Sequence, residues 1–270
     1  MAVRDYVKFI RFKYHHSFLV VVLGALLFSN SLTSLPSLLK LLQQLLMLYV
    51  SFNILLLGGL YTLNDIADAK SDEKHPLKKN RPIPSGRVST KSALAFSLLL
   101  TTAGFASGYA LFSRNIFYVY LAIFALNLFY TFVAKKVPYL ELVTNSVTHP
   151  LRFLMGTLLG SQSHTLPLQA PYFPILALFL LYLGLACVRR IVEKDVQGWE
   201  ARKTLRFYPM PVLFSIQLLS FLAILAITAI DASVTKALYL LVTTAYLILV
   251  FGIYLFKPVR KLFTTVWTRS

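Results

Sequence analysis

The chain has 270 residues, 57% of them hydrophobic and 14% charged, with 27 Lys and Arg against 10 Asp and Glu. Soluble domains carry about 25% charged residues, so this composition, with a mean hydropathy of +0.68, excludes an ordinary water-soluble fold and indicates an integral membrane protein. The apolar runs are too long for a membrane β-barrel, whose strands alternate over about 10 residues. The net charge of +17 is not a nucleic-acid signal either, because the basic residues are sorted by membrane side.

Arg4, Lys8, Arg11 and Lys13 precede an apolar stretch that reads as a full first span rather than a cleaved signal. Eight spans are expected, at about 17–34, 38–63, 92–112, 115–134, 139–161, 171–190, 209–230 and 234–256, each able to supply the roughly 20 residues that cross a bilayer. With the N-terminus in the cytoplasm, the inner segments 1–16, 64–91, 135–138, 189–208 and 257–270 hold 23 of the 27 Lys and Arg. That bias follows the positive-inside rule and supports both span order and orientation. The lone Cys187 lies in an apolar run, rules out an intrachain disulfide and reads as packing. Residues 1–270 are expected to form a single membrane-embedded domain.

Seven of the ten acids fall in two stretches, each following an apolar run. In the first, Asn64, Asp65, Asp68 and Asp72 stand at i, i+1, i+4 and i+8, which makes one carboxylate stripe if the second helix continues past Leu63. Asp65 and Asp72 would lie about 10 Å apart along the axis, a spacing suited to one or two Mg2+ ions bridging to a diphosphate. Mg2+ takes one or two carboxylates together with substrate phosphates. Three like charges on one stripe require a counter-ion. Lys78, Lys79 and Arg81 follow with phosphate-binding charge, and Pro82, Pro84 and Gly86 mark a turn.

The pattern Asn64-Asp-x-x-Asp-x-x-x-Asp72, followed by His75-Pro-x-Lys-x-x-Arg-Pro-Ile-x-Ser-Gly86, resembles the first signature of the UbiA superfamily of intramembrane prenyltransferases. The resemblance implies an all-α, polytopic bundle of eight, possibly nine, spans around a central cavity. It also implies Mg2+ held by Asp65, Asp68 and Asp72, with Asn64 beside the diphosphate.

The sixth span ends in the second stretch, where the superfamily usually places a second Asp-rich motif. This chain instead has Arg189-Arg190-x-x-Glu193, then Arg202-x-x-Leu205-x-x-Tyr208. On a helix Arg189 and Glu193 are i, i+4 and can pair, with Arg190 on an adjacent face. The pattern looks like the decaprenyl-phosphate phosphoribosyltransferase branch, which implies phosphoribosyl diphosphate as donor and a polyprenyl phosphate as acceptor. That branch opens with Arg-Pro-x-Gln-Trp-x-Lys-Asn, whereas here the segment reads Arg11-Phe-Lys-Tyr-His-His-Ser-Phe18.

Within the fifth span, Glu141, Asn145 and His149 form a polar stripe, and Arg152 needs a partner or a wet cavity at that depth. The resemblance therefore yields candidate catalytic residues Asp65, Asp68, Arg189 and Glu193. Candidate substrate-binding residues are Asn64, Lys78, Lys79, Arg81, Asn145, Arg152, Arg190, Arg202 and Tyr208. The expected reaction is Mg2+-dependent transfer of an isoprenoid group from a prenyl diphosphate to an aromatic or lipid acceptor. Phosphoribosyl transfer to a polyprenyl phosphate and terpene cyclisation are alternatives within the fold. A cation or lipid-phosphate transporter is the alternative from another class, disfavoured because both clusters fall on one side and no charged ladder crosses the bilayer.

Overall fold

The computed structural model describes residues 3–29, 34–73, 78–161, 171–197, 203–231 and 236–268. Among these the chain is all-helical. We label the helices α1 (Val3–Leu27), α2 (Leu35–Asp72), α3 (Thr90–Leu111), α4 (Arg114–Phe132), α5 (Leu140–Gly160), α6 (Tyr172–Gln197), α7 (Met210–Ile230), α8 (Lys236–Leu255) and α9 (Lys257–Thr268). Seven of them, α1 to α4 and α6 to α8, are long and apolar enough to cross a membrane. This corrects the expected eight or nine. The expected fifth span is present as the 21-residue helix α5, but Glu141, Asn145, His149 and Arg152 make it too polar to qualify.

The helices are apolar outside as well as inside. Leu98, Leu99 and Tyr109 of α3 are 59%, 66% and 67% exposed, as are many Leu and Phe elsewhere. Water would not tolerate so much contiguous apolar surface, but a lipid solvent does.

The chain divides into two compact units, Met1–Phe132 with Arg152–Leu168, and Val133–Leu151 with Gln169–Ser270. In the first unit α2 packs on α3, tied by Ser97 Oγ donating to the Gly59 carbonyl at 2.8 Å and by a Ser51–Ser107 hydroxyl pair at 2.8 Å. The last turns of α5 lie directly on α1. A Cβ at Gly156 would overlap the Val21 carbonyl, and one at Gly160 the Ala25 carbonyl. This Gly-x-x-x-Gly spacing lets backbones touch where lipid supplies no hydrophobic drive, so van der Waals packing decides.

In the second unit α6 packs on α7. Gln217, fully buried in α7, donates to the Gly184 carbonyl at 3.3 Å and accepts from Tyr254 at 2.7 Å, and its own carbonyl accepts from Tyr246 at 2.7 Å. Each polar group buried in a span has to be satisfied by protein in this way. Two spans carry π-helical segments, Tyr49–Leu56 in α2 and Tyr246–Phe251 in α8.

Candidate active site

α2 does run past Leu63 to Asp72, so the carboxylate stripe is real. Asp65 and Asp72 are buried, at 5% and 6% exposure, and Asp68 is half-buried. Burying carboxylates is costly unless they are paired, and the pairing here is by arginine. Arg81 Nη1 donates to Asp65 Oδ1 at 3.1 Å and to Asp72 Oδ2 at 2.8 Å. Arg11 Nη2 donates to the same Asp65 oxygen. Asn64 Oδ1 accepts from Thr131 of α4 at 3.3 Å.

The expected counter-ion is thus found, and half of it was missed. Arg81 was among the candidates, but Arg11 was read only as part of an N-terminal segment. It lies 54 residues from Asp65 in sequence, and its signal was its place at the head of the segment Arg11-Phe-Lys-Tyr-His-His-Ser-Phe18. Its backbone is left-handed, φ 53, between the 3-10 runs Lys8–Ile10 and Phe12–Phe18. The Tyr14 and Tyr61 rings lie 5.9 and 5.3 Å from its guanidinium carbon.

The loop after α2 is pinned to hold Arg81 in place. Ser85 N donates to the Arg81 carbonyl and Gly86 N to that of Ile83, with Gly86 at φ 74, a conformation glycine adopts without strain. Ile83 and Val88 are buried with Phe9 and Ala93. Arg87 bridges the Asn80 carbonyl at 2.7 Å and Asp5 at 3.2 Å, and Asp5 also pairs with Lys8. Lys79 is exposed and Lys78 half-buried beside this turn.

Among the described residues no group of three His, Cys, Asp or Glu side chains is gathered for a metal. Asp65, Asp68 and Asp72 are therefore not a closed cage. Their donors are all carboxylate oxygen, spread along one face, which suits a hard cation that keeps most of its ligands from water and phosphate.

The second cluster is organised differently from its sequence reading. Arg190, not Arg189, pairs with Glu193, because Glu141 of α5 draws Arg190 inward. Arg190 Nε lies 2.8 Å from Glu141 Oε1, and Nη2 donates to Oε2 at 3.1 Å. Tyr208 OH donates to Glu141 Oε1 at 2.7 Å and accepts from the Tyr139 N–H at 3.0 Å. Lys194 Nζ donates to the Tyr208 carbonyl at 3.3 Å, and Tyr139 OH to that of Phe207 at 2.7 Å. Burial, then the Glu141 carboxylate, pushes the Tyr208 phenol above its ordinary pKa. Arg190 and Tyr208, expected to bind substrate, and Glu193, expected to be catalytic, are thus joined in one network through Glu141 and Arg190. Arg189 is half-buried and makes no ion pair among the described residues. Arg202 lies outside the described residues.

The polar stripe of α5 is shared out rather than acting as one surface. Glu141 joins the Arg190 network, Asn145 is half-buried, and His149 stacks flat on Tyr182 with centroids 3.5 Å apart. Arg152 is buried at 5% exposure and belongs to the first unit.

A sequence model of the UbiA prenyltransferase family matches residues 17–267. Among curated proteins, a protoheme IX farnesyltransferase from Korarchaeum cryptofilum is 41% identical over 64 residues, covering 24% of this chain and 22% of that protein. The nodulation protein NoeC from Azorhizobium caulinodans is 28% identical over 142 residues, covering 50% of this chain and 42% of that protein. The chain thus spans less than half the length of these curated relatives. Among solved structures, a UbiA homologue from Archaeoglobus fulgidus bound to GPP and Mg2+ superposes with a TM-score of 0.73 at 16% identity, covering 98% of this chain and 95% of that one.

Proposed function

The chain belongs to the UbiA prenyltransferase family, and from that premise we propose that it transfers an isoprenoid group from a prenyl diphosphate to an aromatic or lipid acceptor, with Mg2+, at the cytoplasmic face. The observation that carries this reading is the stripe of Asp65, Asp68 and Asp72 at the end of α2, two of its acids buried and paired with Arg11 and Arg81.

Asp65, Asp68 and Asp72 would hold Mg2+, with Asn64 beside them. A bound Mg2+ would offset the diphosphate charge and make it a better leaving group. Lys78, Lys79, Arg81 and Arg11 bind phosphate oxygens and stabilise the negative charge that grows on them as the C–O bond breaks. Guanidinium groups suit this because their paired N–H donors match phosphate geometry. Arg189 and Arg202 remain assigned to anionic substrate groups, and Arg152 and Asn145 to polar substrate contacts. Apolar helix faces shield the isoprenoid and its reacting carbon from water.

Prenyl transfer is preferred to phosphoribosyl transfer for a specific reason. The branch resemblance rested on Arg189-Arg190-x-x-Glu193 and Arg202-x-x-Leu205-x-x-Tyr208, and of these Arg190 pairs with Glu193 and Glu141 while Tyr208 donates to Glu141. What is left to read a phosphoribosyl group is Arg189 and Arg202.

The test is turnover by the purified protein in detergent. It is incubated with Mg2+ and either geranylgeranyl diphosphate or phosphoribosyl diphosphate plus a polyprenyl phosphate, and diphosphate release is followed. Consumption of the prenyl donor should be lost with EDTA and fall by about 100-fold or more in Asp65→Ala and Asp68→Ala. Turnover of neither donor, unaffected by EDTA, would sink the enzyme reading, and Mg2+ flux in liposomes would replace it with transport.

A further inference from the structure

Arg81 and Arg11 hold one oxygen of each of the two buried carboxylates that a cation would use, Asp65 Oδ1 and Asp72 Oδ2. One nitrogen of Arg81 bridges Asp65 at 3.1 Å and Asp72 at 2.8 Å, and Arg11 takes the same Asp65 oxygen. These are not loose surface pairs. The Asp65 and Asp72 side chains are 6% and 8% exposed, and those of Arg11 and Arg81 14% and 22%. A divalent cation cannot share Asp65 and Asp72 with two guanidinium groups, because like charges at contact distance in a poorly hydrated site repel strongly. Nor can the arginines simply step aside. A partly buried guanidinium removed from its carboxylate is left as an uncompensated charge.

A diphosphate resolves this conflict. Its oxygens accept fork-like hydrogen bonds from arginine as a carboxylate does, so it can take over both guanidinium groups while the cation takes the carboxylates. We infer that Arg11 and Arg81 make the divalent cation and the diphosphate interdependent ligands: the arginines exchange Asp65 and Asp72 for phosphate oxygens only when both ligands arrive, so free cation is turned away. The inference rests on the prenyl-diphosphate reading above and adds to it a requirement for joint entry.

Three features of this chain favour the exchange. Asp65 is shared by both arginines, so one carboxylate reports on two counter-ions. Arg81 sits on a turn pinned by the buried Ile83 and Val88, so the exchange asks its side chain to swing without moving its backbone. Arg11 keeps Tyr14 and Tyr61 as neighbours, whose ring faces can hold the cation as it leaves Asp65.

The experiment uses the full chain in nanodiscs and isothermal titration calorimetry. Mg2+ is titrated alone and with saturating geranyl thiolodiphosphate, a prenyl diphosphate analogue that does not react, at defined free Mg2+. In the wild type the analogue should tighten Mg2+ binding by about 50-fold, inside the range typical of coupled sites. Direct contact between metal and phosphate would couple the two in any variant, so the distinguishing measurement is Mg2+ alone. Arg81→Gln and Arg11→Gln should each bind Mg2+ alone about 10-fold more tightly than wild type and lower the coupling accordingly. Thermal unfolding without ligands establishes that each variant is folded, and if one is not, the other carries the comparison. Equal Mg2+ affinity with and without the analogue in the wild type, or unchanged Mg2+-only affinity in the folded variants, overturns the inference and leaves the transferase reading standing. Failure of both Mg2+ and analogue to bind, together or apart, overturns both.

Discussion

Tyr208, singled out for substrate contact, is tied into the fold by its hydroxyl. Its hydroxyl donates to Glu141 and accepts from the Tyr139 amide, so replacing it strands a buried carboxylate and an N–H together. Tyr208→Phe should cost about 1–3 kcal/mol, the usual price of unsatisfied buried partners, read as a lower unfolding temperature in detergent. The pH dependence has a definite sign. The folded phenol is held above its ordinary value of 10.0 by burial and by Glu141. The stability this contributes is fully present below about pH 10 and is lost as pH rises from there through the folded-state value, because the unfolded chain releases the proton first. Wild-type unfolding temperature should therefore fall more steeply above pH 10 than that of Tyr208→Phe. Equal slopes would show that the hydroxyl titrates as in water.

At the scale of the element, α2 and α5 were each half legible. The spacing of Asn64, Asp65, Asp68 and Asp72 carries the stripe because helical periodicity is local, and α2 extends to Asp72 as that spacing requires. The π-helical turn at Tyr49–Leu56 has no comparable signature in composition. For α5, helix and polar stripe were both readable, but the stripe's division was not. Glu141 is taken by Arg190, His149 by Tyr182, and the last turns by the α1 backbone. That last contact yields a sharp expectation. Gly156→Val places side-chain atoms against the Val21 carbonyl, where backbone cannot yield cheaply, and should destabilise by at least about 1–3 kcal/mol. Gly86→Ala meets nothing within 4 Å and strains only φ, so it should cost about 1 kcal/mol. Unfolding temperatures in one detergent compare them, and a Gly156→Val protein as stable as wild type would remove the close approach of α1 and α5.

At the scale of the whole molecule, the positive-inside distribution predicts residues 64–91 in the cytoplasm, with α3 carrying the chain to the far side. Asn80→Cys and Arg114→Cys, both at exposed positions flanking α3, should react with impermeant maleimide from opposite faces of sealed vesicles. Cys187 is buried and should stay silent in both. Labelling of both positions from one face would overturn the orientation. Seven helices among the described residues qualify as spans where eight, possibly nine, were expected, because hydropathy is a property of a window, and the polar groups of α5 exceed what such a window allows. The sequence by itself determined the membrane class, the helical architecture, the family and the carboxylate stripe, since hydropathy, helical period and motif spacing are all local along the chain. Only the tertiary structure decided which charges meet. Arg11 reaches Asp65 across 54 residues, and Arg190 reaches Glu141 across 49. Every buried carboxylate must find a partner, but nothing in the local sequence says which of 27 basic residues it will be. Packing makes that choice.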